Sequence, residues 1–524
     1  MTSAAKVLQH RGRSLLARAD AACNALYTWR YNPLYHTGAL VVASFLVLLV
    51  SGLYLLLFYR IGAPYESVAR ITDQVWVGRW IRTAHRYVSD VAVVAIAVHA
   101  FRMFVQDRAW GPRALAWVSG VVLTVVFFIC GWTGYVMVWD AQAELLAAEG
   151  ARLLDVFPIF SEPMGRAFVG ERAIPSAFFF LNLFAHIAFP VGIALLLWVH
   201  LSRLARTQIF PPRPLLWGFV GLVVLVSVAW PIPMAERADL LRLPTDVPVD
   251  VFYGLWVYVT RALPPGGAWL VLAAPVAVAL AVPLILRPRR DQLPAPSWVN
   301  DRVCTGCEQC YHDCPYEAIR MIPRVDDREG FVGHVDADKC VSCGICAGSC
   351  APMVVGPVLR TGRDQLGEVK AFIERTDLSQ DDIVLVGCAN SAAGQGGGRW
   401  NVPAFPVSCI GAMHTSVLEY LVRAGAGGVV VVSCPPRDCW NREGVGWFED
   451  RVHHRREAEL KDRVDRRRIR IVYAAERETG LVAREIQSFR SYVGGLDRAS
   501  SEPSIHIEAV CEVPEVSVAA DVDA

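Results

Sequence analysis

Two stretches decide the reading of this chain: TAHRYVSDVAVVAIAVHAFRMFV, residues 83–105, and AFFFLNLFAHIAFPVGIALLLWVHLS, residues 177–202. Both are apolar and long enough to cross a bilayer, which takes about 20 residues. Each carries two histidines 14 residues apart, His85 with His99 and His186 with His200. Fourteen residues are nearly four helical turns, so both members of a pair face nearly the same way, about 21 Å apart along the axis. One intramembrane histidine reads equally well as a hydrogen-bonded packing residue. The same spacing on two helices argues for two stacked bis-histidine sites, and neutral imidazoles are good axial ligands for haem iron. Glycines repeat the period: Gly38 and Gly52 on the span before, Gly120 and Gly134 on the span between. A flat macrocycle packed against a helix needs a gap where a side chain would stand, so these glycines are expected to clear the haems.

Outward from these helices the composition divides in two. The 524 residues carry 51 Lys+Arg, 50 Asp+Glu and 15 Cys, and 54% are hydrophobic, too apolar for an ordinary soluble enzyme. Residues 1–290 hold 25 basic and 15 acidic side chains and residues 291–524 hold 26 and 35, so the net +1 is a basic membrane half joined to an acidic soluble one. That distribution argues against a nucleic-acid partner. Six spans are expected, at 38–59, 83–105, 114–139, 173–202, 214–235 and 262–286. Loops on the side of both ends hold 14 Lys/Arg and 2 acids, whereas the opposite loops hold 10 Arg and 12 acids. The positive-inside rule then puts both ends in the cytoplasm.

The first 290 residues resemble cytochrome b of the quinol-oxidising cytochrome bc complexes. The residues that carry the likeness are Trp80-Ile-Arg82-Thr-Ala-His85, Val98-His99-Ala-Phe-Arg102, Gly131-Trp-Thr-Gly134-Tyr-Val-Met-Val-Trp139, Phe184-Ala-His186-Ile-Ala-Phe-Pro190 and Leu255-Trp256-Val-Tyr258. The resemblance implies His85 with His186 at an outer haem b and His99 with His200 at an inner one, with Arg82 neutralising propionates. A snorkelling interface arginine is the other reading of Arg82. Where that family carries Pro-Glu-Trp-Tyr this chain has Asp250-Val251-Phe252-Tyr253, so the outer glutamate is replaced by Val251. Asp250 or Asp246 could act in its place, or be a solvated surface charge.

Thirteen of the 15 cysteines lie beyond position 300. Cys304-x2-Cys307-x2-Cys310-x3-Cys314-Pro and Cys340-x2-Cys343-x2-Cys346-x3-Cys350 form a duplicated run of the kind that binds two [4Fe-4S] clusters. In each run three close cysteines serve one cube and the fourth crosses over. Cys304, Cys307, Cys310 and Cys350 are thus expected on one cluster, and Cys340, Cys343, Cys346 and Cys314 on the other. About residues 295–357 resemble the bacterial two-cluster ferredoxins. Further on, Cys388, Cys409 and Cys434 each end an apolar, β-branched run, and Cys439 follows five residues after Cys434. Parallel strands sharing one edge would bring the four together; buried structural cysteines are the alternative. Residues 380–492 resemble the delta subunit of methyl-viologen-reducing hydrogenase on Gly387-Cys388, Ser408-Cys409, Cys434-Pro-Pro-Arg-Asp-Cys439 and Arg468-Ile-Arg-Ile-Val-Tyr-Ala. That likeness implies one [2Fe-2S] cluster and partners of the heterodisulfide-reductase type. The basic stretch 451–470 reads as a solvated helix face.

The expected architecture is an all-α transmembrane four-helix haem bundle with two further helices, a ferredoxin-like α+β domain and a small α/β parallel-sheet domain. Its segments are a cytoplasmic arm (1–37), the membrane domain (38–290), a linker (291–303), the two-cluster domain (304–357), the delta-like domain (380–492) and a disordered acidic tail (496–524). No dinucleotide fingerprint, P-loop or covalent-haem motif occurs, so every expected cofactor moves single electrons. The reading is a redox subunit of a quinone-linked complex in a bacterial or archaeal inner membrane. Cofactor order along the chain suggests electrons passing between a cytoplasmic flavoprotein or hydrogenase/heterodisulfide-reductase-like partner, the [2Fe-2S] cluster, the cubanes, the inner haem and membrane quinone. A conduit to a periplasmic acceptor and a redox sensor are the alternatives, and a homodimer is left open.

Overall fold

A computed structural model of the chain describes residues 3–499 apart from 158–162, 169, 171–173, 203–206, 243–246, 248, 289–292, 327 and 395. Asp246 and residues 500–524 of the expected tail therefore lie outside the described residues. The membrane half is helical: α1 (Ser3–Tyr31), α2 (Thr37–Phe58), α3 (Pro64–Asp73), α4 (Gly78–Val105), α5 (Ala114–Val136), α6 (Ala141–Leu154), α7 (Ser176–Ser202), α8 (Arg213–Ala229), α9 (Leu255–Ala262) and α10 (Pro265–Leu286). Among the described residues five of these, α2, α4, α5, α7 and α10, are long and apolar enough to cross a membrane.

The expected span at 214–235 is shorter than the sequence suggests. α8 stops at Ala229, ahead of Pro231 and Pro233, and its 17 residues rise only about 25 Å. It nevertheless runs along α4, with Val223 packed on Ala84 and Val88. Past its end, the carbonyl of Trp230 accepts from the Tyr87 hydroxyl and that of Ile232 from Arg82 Nη1, both near the start of α4. At the other end of α4, Gly12 of α1 lies against Val105, and Arg13 of α1 donates to Asn390 of the soluble half. Arm and soluble half thus share one side.

The soluble half opens with β1 (Trp298–Val299), α11 (Gln309–His312), β2 (Ile319–Pro323), β3 (Phe331–Val335), α12 (Ile345–Gly348) and β4 (Val355–Gly356). β2 pairs antiparallel with β3, and β1 with β4. The core of this unit is small and consists largely of its own cysteines: Cys346 and Cys350 with Ile319, Val354 and Val355, flanked by Cys304, Cys310 and Cys314. After α13 (Gly362–Thr376) come β5 (Ile383–Cys388), β6 (Ala404–Val407), α14 (Ser416–Arg423), β7 (Gly428–Ser433), α15 (Gly444–Val452), β8 (Ile469–Tyr473) and α16 (Thr479–Ala499). The four strands form a parallel sheet in the order β6-β5-β7-β8. Every residue of β5 and β7 is buried, as central parallel strands covered on both faces require. Val384, Val386, Val429 and Val431 pack on one face, while Ile383, Leu385, Val430 and Val432 pack on the other with Val482, Ile486 and Phe489 of α16.

The basic stretch 451–470 is not a helix face. α15 ends at Val452, an irregular segment follows, and residues 469–473 are β8. Arg451 itself is fully buried, donating to Ser349 Oγ and the Gly411 carbonyl beside Asp313. It ties the two soluble units together. Gly348 and Gly444 permit that closeness, because a Cβ on Gly348 would lie 2.8 Å from the Gly411 carbonyl oxygen and one on Gly444 2.9 Å from Ile345 Cδ1.

Candidate cofactor centres

The histidines of α4 and α7 face glycines on the neighbouring helices. A Cβ on Gly52 would stand 3.3 Å from Cε1 of His85, on Gly38 3.1 Å from His99, on Gly120 3.3 Å from His200 and on Gly134 2.9 Å from His186. The space these glycines leave is thus taken first by the imidazoles. The rings of His85 and His186 lie opposite one another with centroids 6.4 Å apart and planes inclined at 63°. Two imidazoles that bind one metal from opposite sides, through bonds of about 2.0 Å, have ring centres roughly 6.3 Å apart. His99 and His200 are likewise close enough to interact electrostatically.

Sequence reasoning missed the residue before each glycine. Ser51 Oγ lies 2.8 Å from His85 Nδ1, Ser119 Oγ 3.0 Å from His200 Nδ1 and Thr133 Oγ1 3.0 Å from His186 Nδ1, with Thr37 Oγ1 at 3.5 Å from His99 Nδ1. Three of these hydroxyls give their single proton to a carbonyl of their own helix: Ser51 to Val47 at 2.6 Å, Ser119 to Ala116 at 3.0 Å and Thr133 to Cys130 at 2.7 Å. They must therefore accept from Nδ1–H, which leaves the Nε2 lone pair free for a metal. The carbonyl of Cys130, 3.0 Å from His186 Nδ1, imposes the same tautomer. A hydroxyl followed by glycine, four times over, was the available signal: Thr37-Gly38, Ser51-Gly52, Ser119-Gly120 and Thr133-Gly134.

Near the start of α4, Arg82 spends one of its five N–H groups on the Ile232 carbonyl at 2.8 Å. Asp250 is pinned. It pairs with Arg86, and its Oδ1 accepts from the amides of Phe252 at 2.9 Å and Tyr253 at 2.6 Å. Val251, at the position of the family's glutamate, is 64% exposed.

In the soluble half the two cysteine runs have the same backbone. Left-handed residues recur at matching offsets: Gly306 and Ser342, Glu308 and Gly344, Glu317 and Met353. Such residues are costly except for glycine and persist when the surroundings over-determine them. Backbone amides point at the sulfurs, Ser297 to Cys340 at 3.3 Å, Ala318 to Cys314 at 3.2 Å and Val354 to Cys350 at 3.3 Å. Burial pushes the Cys346 thiol up to about 12, so an empty pocket resists the thiolates that a cluster would bind. Among the described residues no three His, Cys, Asp or Glu side chains converge as the ligands of a single metal ion.

Cys388, Cys409, Cys434 and Cys439 gather at the C-terminal edge of the parallel sheet, each at most 5% exposed. Cys434 neighbours both Cys388 and Cys439, and its contact with Cys388 draws that thiol down to about 6. Burial pushes Cys409 up to about 12. Ser391 bonds the carbonyls of Cys388 and Val432 at 2.8 and 3.2 Å, away from the four thiols.

The four-cysteine centre, last of these sites in the chain, lies beside both other cofactor regions. Cys310 lies within electrostatic reach of Cys346, and Cys343 within reach of Cys409. Asp438, next to Cys439, bonds Arg102, one turn beyond His99. Cys307, at the far end, is the exposed cysteine among the described ones. The four-cysteine centre thus adjoins both the two-cluster unit and the end of α4, while Tyr316 of the two-cluster unit itself reaches Arg113 ahead of α5 at 3.3 Å.

Comparison with known proteins agrees with the division into three parts. Residues 24–208 match the family Cytochrome b/b6/petB, residues 303–353 the 4Fe-4S dicluster domain and residues 383–497 the methyl-viologen-reducing hydrogenase, delta subunit family. A menaquinol:cytochrome c reductase cytochrome b subunit of Geobacillus thermodenitrificans is 27% identical over 192 residues, 34% of this chain and 86% of that protein. A solved chain of the hyperthermophilic respiratory Complex III aligns with 16% identity and a TM-score of 0.38, over 48% of this chain and 75% of its own. In order along one polypeptide stand a cytochrome b/b6 segment, a 4Fe-4S dicluster segment and a hydrogenase delta-subunit-like segment, which makes this a multi-pass membrane protein of electron transport.

Proposed function

We propose that the chain links a soluble redox partner to the membrane quinone pool by carrying single electrons along five centres in one line. The observation that carries this reading is the continuous neighbourhood of donor sets. It runs from Cys304, Cys307, Cys310 and Cys350 to Cys314, Cys340, Cys343 and Cys346, then to Cys388, Cys409, Cys434 and Cys439, then to His99 with His200 and finally to His85 with His186. Clusters and haems would supply one-electron carriage there; the chain supplies ligands, spacing and insulation. The exposed Cys307 end suits electron exchange with a flavoprotein or hydrogenase/heterodisulfide-reductase-like subunit on the cytoplasmic side, where the basic loops also point. The relative's name supports a menaquinol-type partner.

Quinone chemistry fits the inner face better than the outer one. At the outer face the usual glutamate position is Val251, and Asp250 is tied to Arg86 and to two backbone amides. That same loss favours, as second reading, an outer haem that delivers electrons to a periplasmic acceptor. An anaerobic redox titration with visible and low-temperature EPR spectra, followed by a menaquinol analogue, separates them. The proposal expects two haems b, two [4Fe-4S] clusters and one [2Fe-2S] cluster, all exchanging electrons with menaquinol. Haems that ignore menaquinol yet accept electrons from the clusters would overturn the quinone assignment.

A further inference from the structure

Residues at and just past the end of α4, together with Arg13 of α1, grip three consecutive residues of the soluble half, Asp438, Cys439 and Trp440. Arg102 is 3% exposed, donates to both carboxylate oxygens of Asp20 in α1 at 2.9 and 3.0 Å, and reaches Asp438 Oδ1 at 2.6 Å. Gln106, one turn on, donates to the same Asp438 oxygen at 2.5 Å. Arg108 donates to the carbonyl of Cys439 at 2.8 Å, and Arg13 of α1 lies 4.5 Å over the ring of Trp440. Tyr35 closes the other side, its ring 4.7 Å from the Arg102 guanidinium. A buried arginine between two carboxylates gains little net stability, because desolvation of three charges offsets their attraction. What such a cluster does provide is one allowed geometry: a planar fork fits Asp20 bidentately and leaves one direction for Asp438.

We infer that Arg102 is a positioning residue that locks the four-cysteine centre onto the inner histidine pair. His99 and Arg102 share one turn of α4, and Asp438 and Cys439 are adjacent, so the Arg102 guanidinium links the two centres directly, with Gln106 and Arg108 holding the same residues beside it. The inference rests on the electron-transfer reading above and adds the side chain that makes the step between soluble and membrane halves fast.

The test uses the full-length protein with Arg102→Gln, Arg102→Lys and Asp438→Asn. One readout is the spin relaxation of the reduced four-cysteine cluster, which a neighbouring oxidised low-spin haem accelerates. The other is the rate at which pre-reduced clusters pass electrons to the inner haem in a stopped flow. Arg102→Gln is expected to abolish the relaxation enhancement and slow transfer at least about tenfold, with Arg102→Lys and Asp438→Asn between it and the wild type. Wild-type relaxation and rate in both Arg102→Gln and Asp438→Asn would overturn the proposal. If Arg102→Gln does not assemble, Asp438→Asn decides by the same two readouts. If the wild-type haem accepts no electrons while the variants still lose the enhancement, the docking role stands and the electron-transfer reading fails.

Discussion

Replacing Gly134 by alanine places a methyl group 2.9 Å from Cε1 of His186, and 3.5 and 3.6 Å from its two nitrogens. Ordinary carbon contacts need at least about 3.5 Å, so the ring must retreat by roughly 0.6 Å. The ring has little freedom to do so, because Nδ1 is held at 3.0 Å by both Thr133 Oγ1 and the Cys130 carbonyl. The opposing His85 fixes the remaining side at a centroid distance of 6.4 Å. Metal constellations tolerate displacements of about 0.5 Å, and overpacking a tight site costs about 1–3 kcal/mol. Against haem occupancy that corresponds to a loss of roughly 5- to 150-fold in affinity at the outer site. Gly52→Ala, facing His85 with 3.3 Å available, asks for about a third of that movement and serves as the graded control. Haem content and low-temperature visible spectra of the two variants are the assay. The reasoning predicts that Gly134→Ala loses or shifts the outer haem while Gly52→Ala retains it, both keeping the inner one. Equal effects in the two variants, or an unchanged Gly134→Ala spectrum, would refute it.

Further outcomes follow from the same contacts. Ser51→Ala removes the acceptor that orients His85 Nδ1–H, and loss of such a partner should weaken metal binding at the outer site about 10- to 100-fold, measured by haem retention on dilution. Arg451→Leu leaves Asp313 paired with Arg456 but removes the buried bonds to Ser349 Oγ and the Gly411 carbonyl that join the two soluble units, and should cost about 1–3 kcal/mol of stability, detectable as protease cleavage between residues 356 and 383 at lower denaturant. Burial raises Asp20 to about 6 despite the pull of Arg102, so the stability this group contributes is present below its unfolded value near 4 and disappears as pH rises through 6. The arm should therefore be cut more readily by protease at pH 7 than at pH 5, and Asp20→Asn should flatten that dependence. Chelating the iron should melt the segment at 298–356, whose core is its own cysteines, while the Val-rich sheet at 383–473 keeps its amide protection in hydrogen exchange.

Local periodicity made the membrane core legible, and distant packing hid much of the rest. The 14-residue period of His85, His99, His186 and His200 with their four glycines can be read directly, because a helix converts spacing into facing. The parallel strands ending in Cys388, Cys409 and Cys434 were legible for the same reason, since fully buried strands appear as unbroken β-branched runs. The shorter α8 was foreshadowed by Pro231 and Pro233, which end a helix that hydropathy alone would continue. That the four-cysteine centre adjoins both the two-cluster unit and the membrane half was not readable from chain order. It depends on Gly348 approaching the Gly411 carbonyl, and on Asp438 meeting Arg102, a partner 336 positions away. Arg451 looked like one charge of a solvated run, and only the fold reveals Asp313 and Ser349 waiting for it.

The account's central claim is the sequence of centres, and rapid freeze-quench EPR with matched visible spectra tests it most directly. Reduced through the soluble side with a low-potential donor, the protein should show cubane signals first, the [2Fe-2S] signal next and haem reduction last. Haem reduction while the four-cysteine centre stays oxidised and bypassed, or reduction of that centre ahead of both cubanes, would contradict the account.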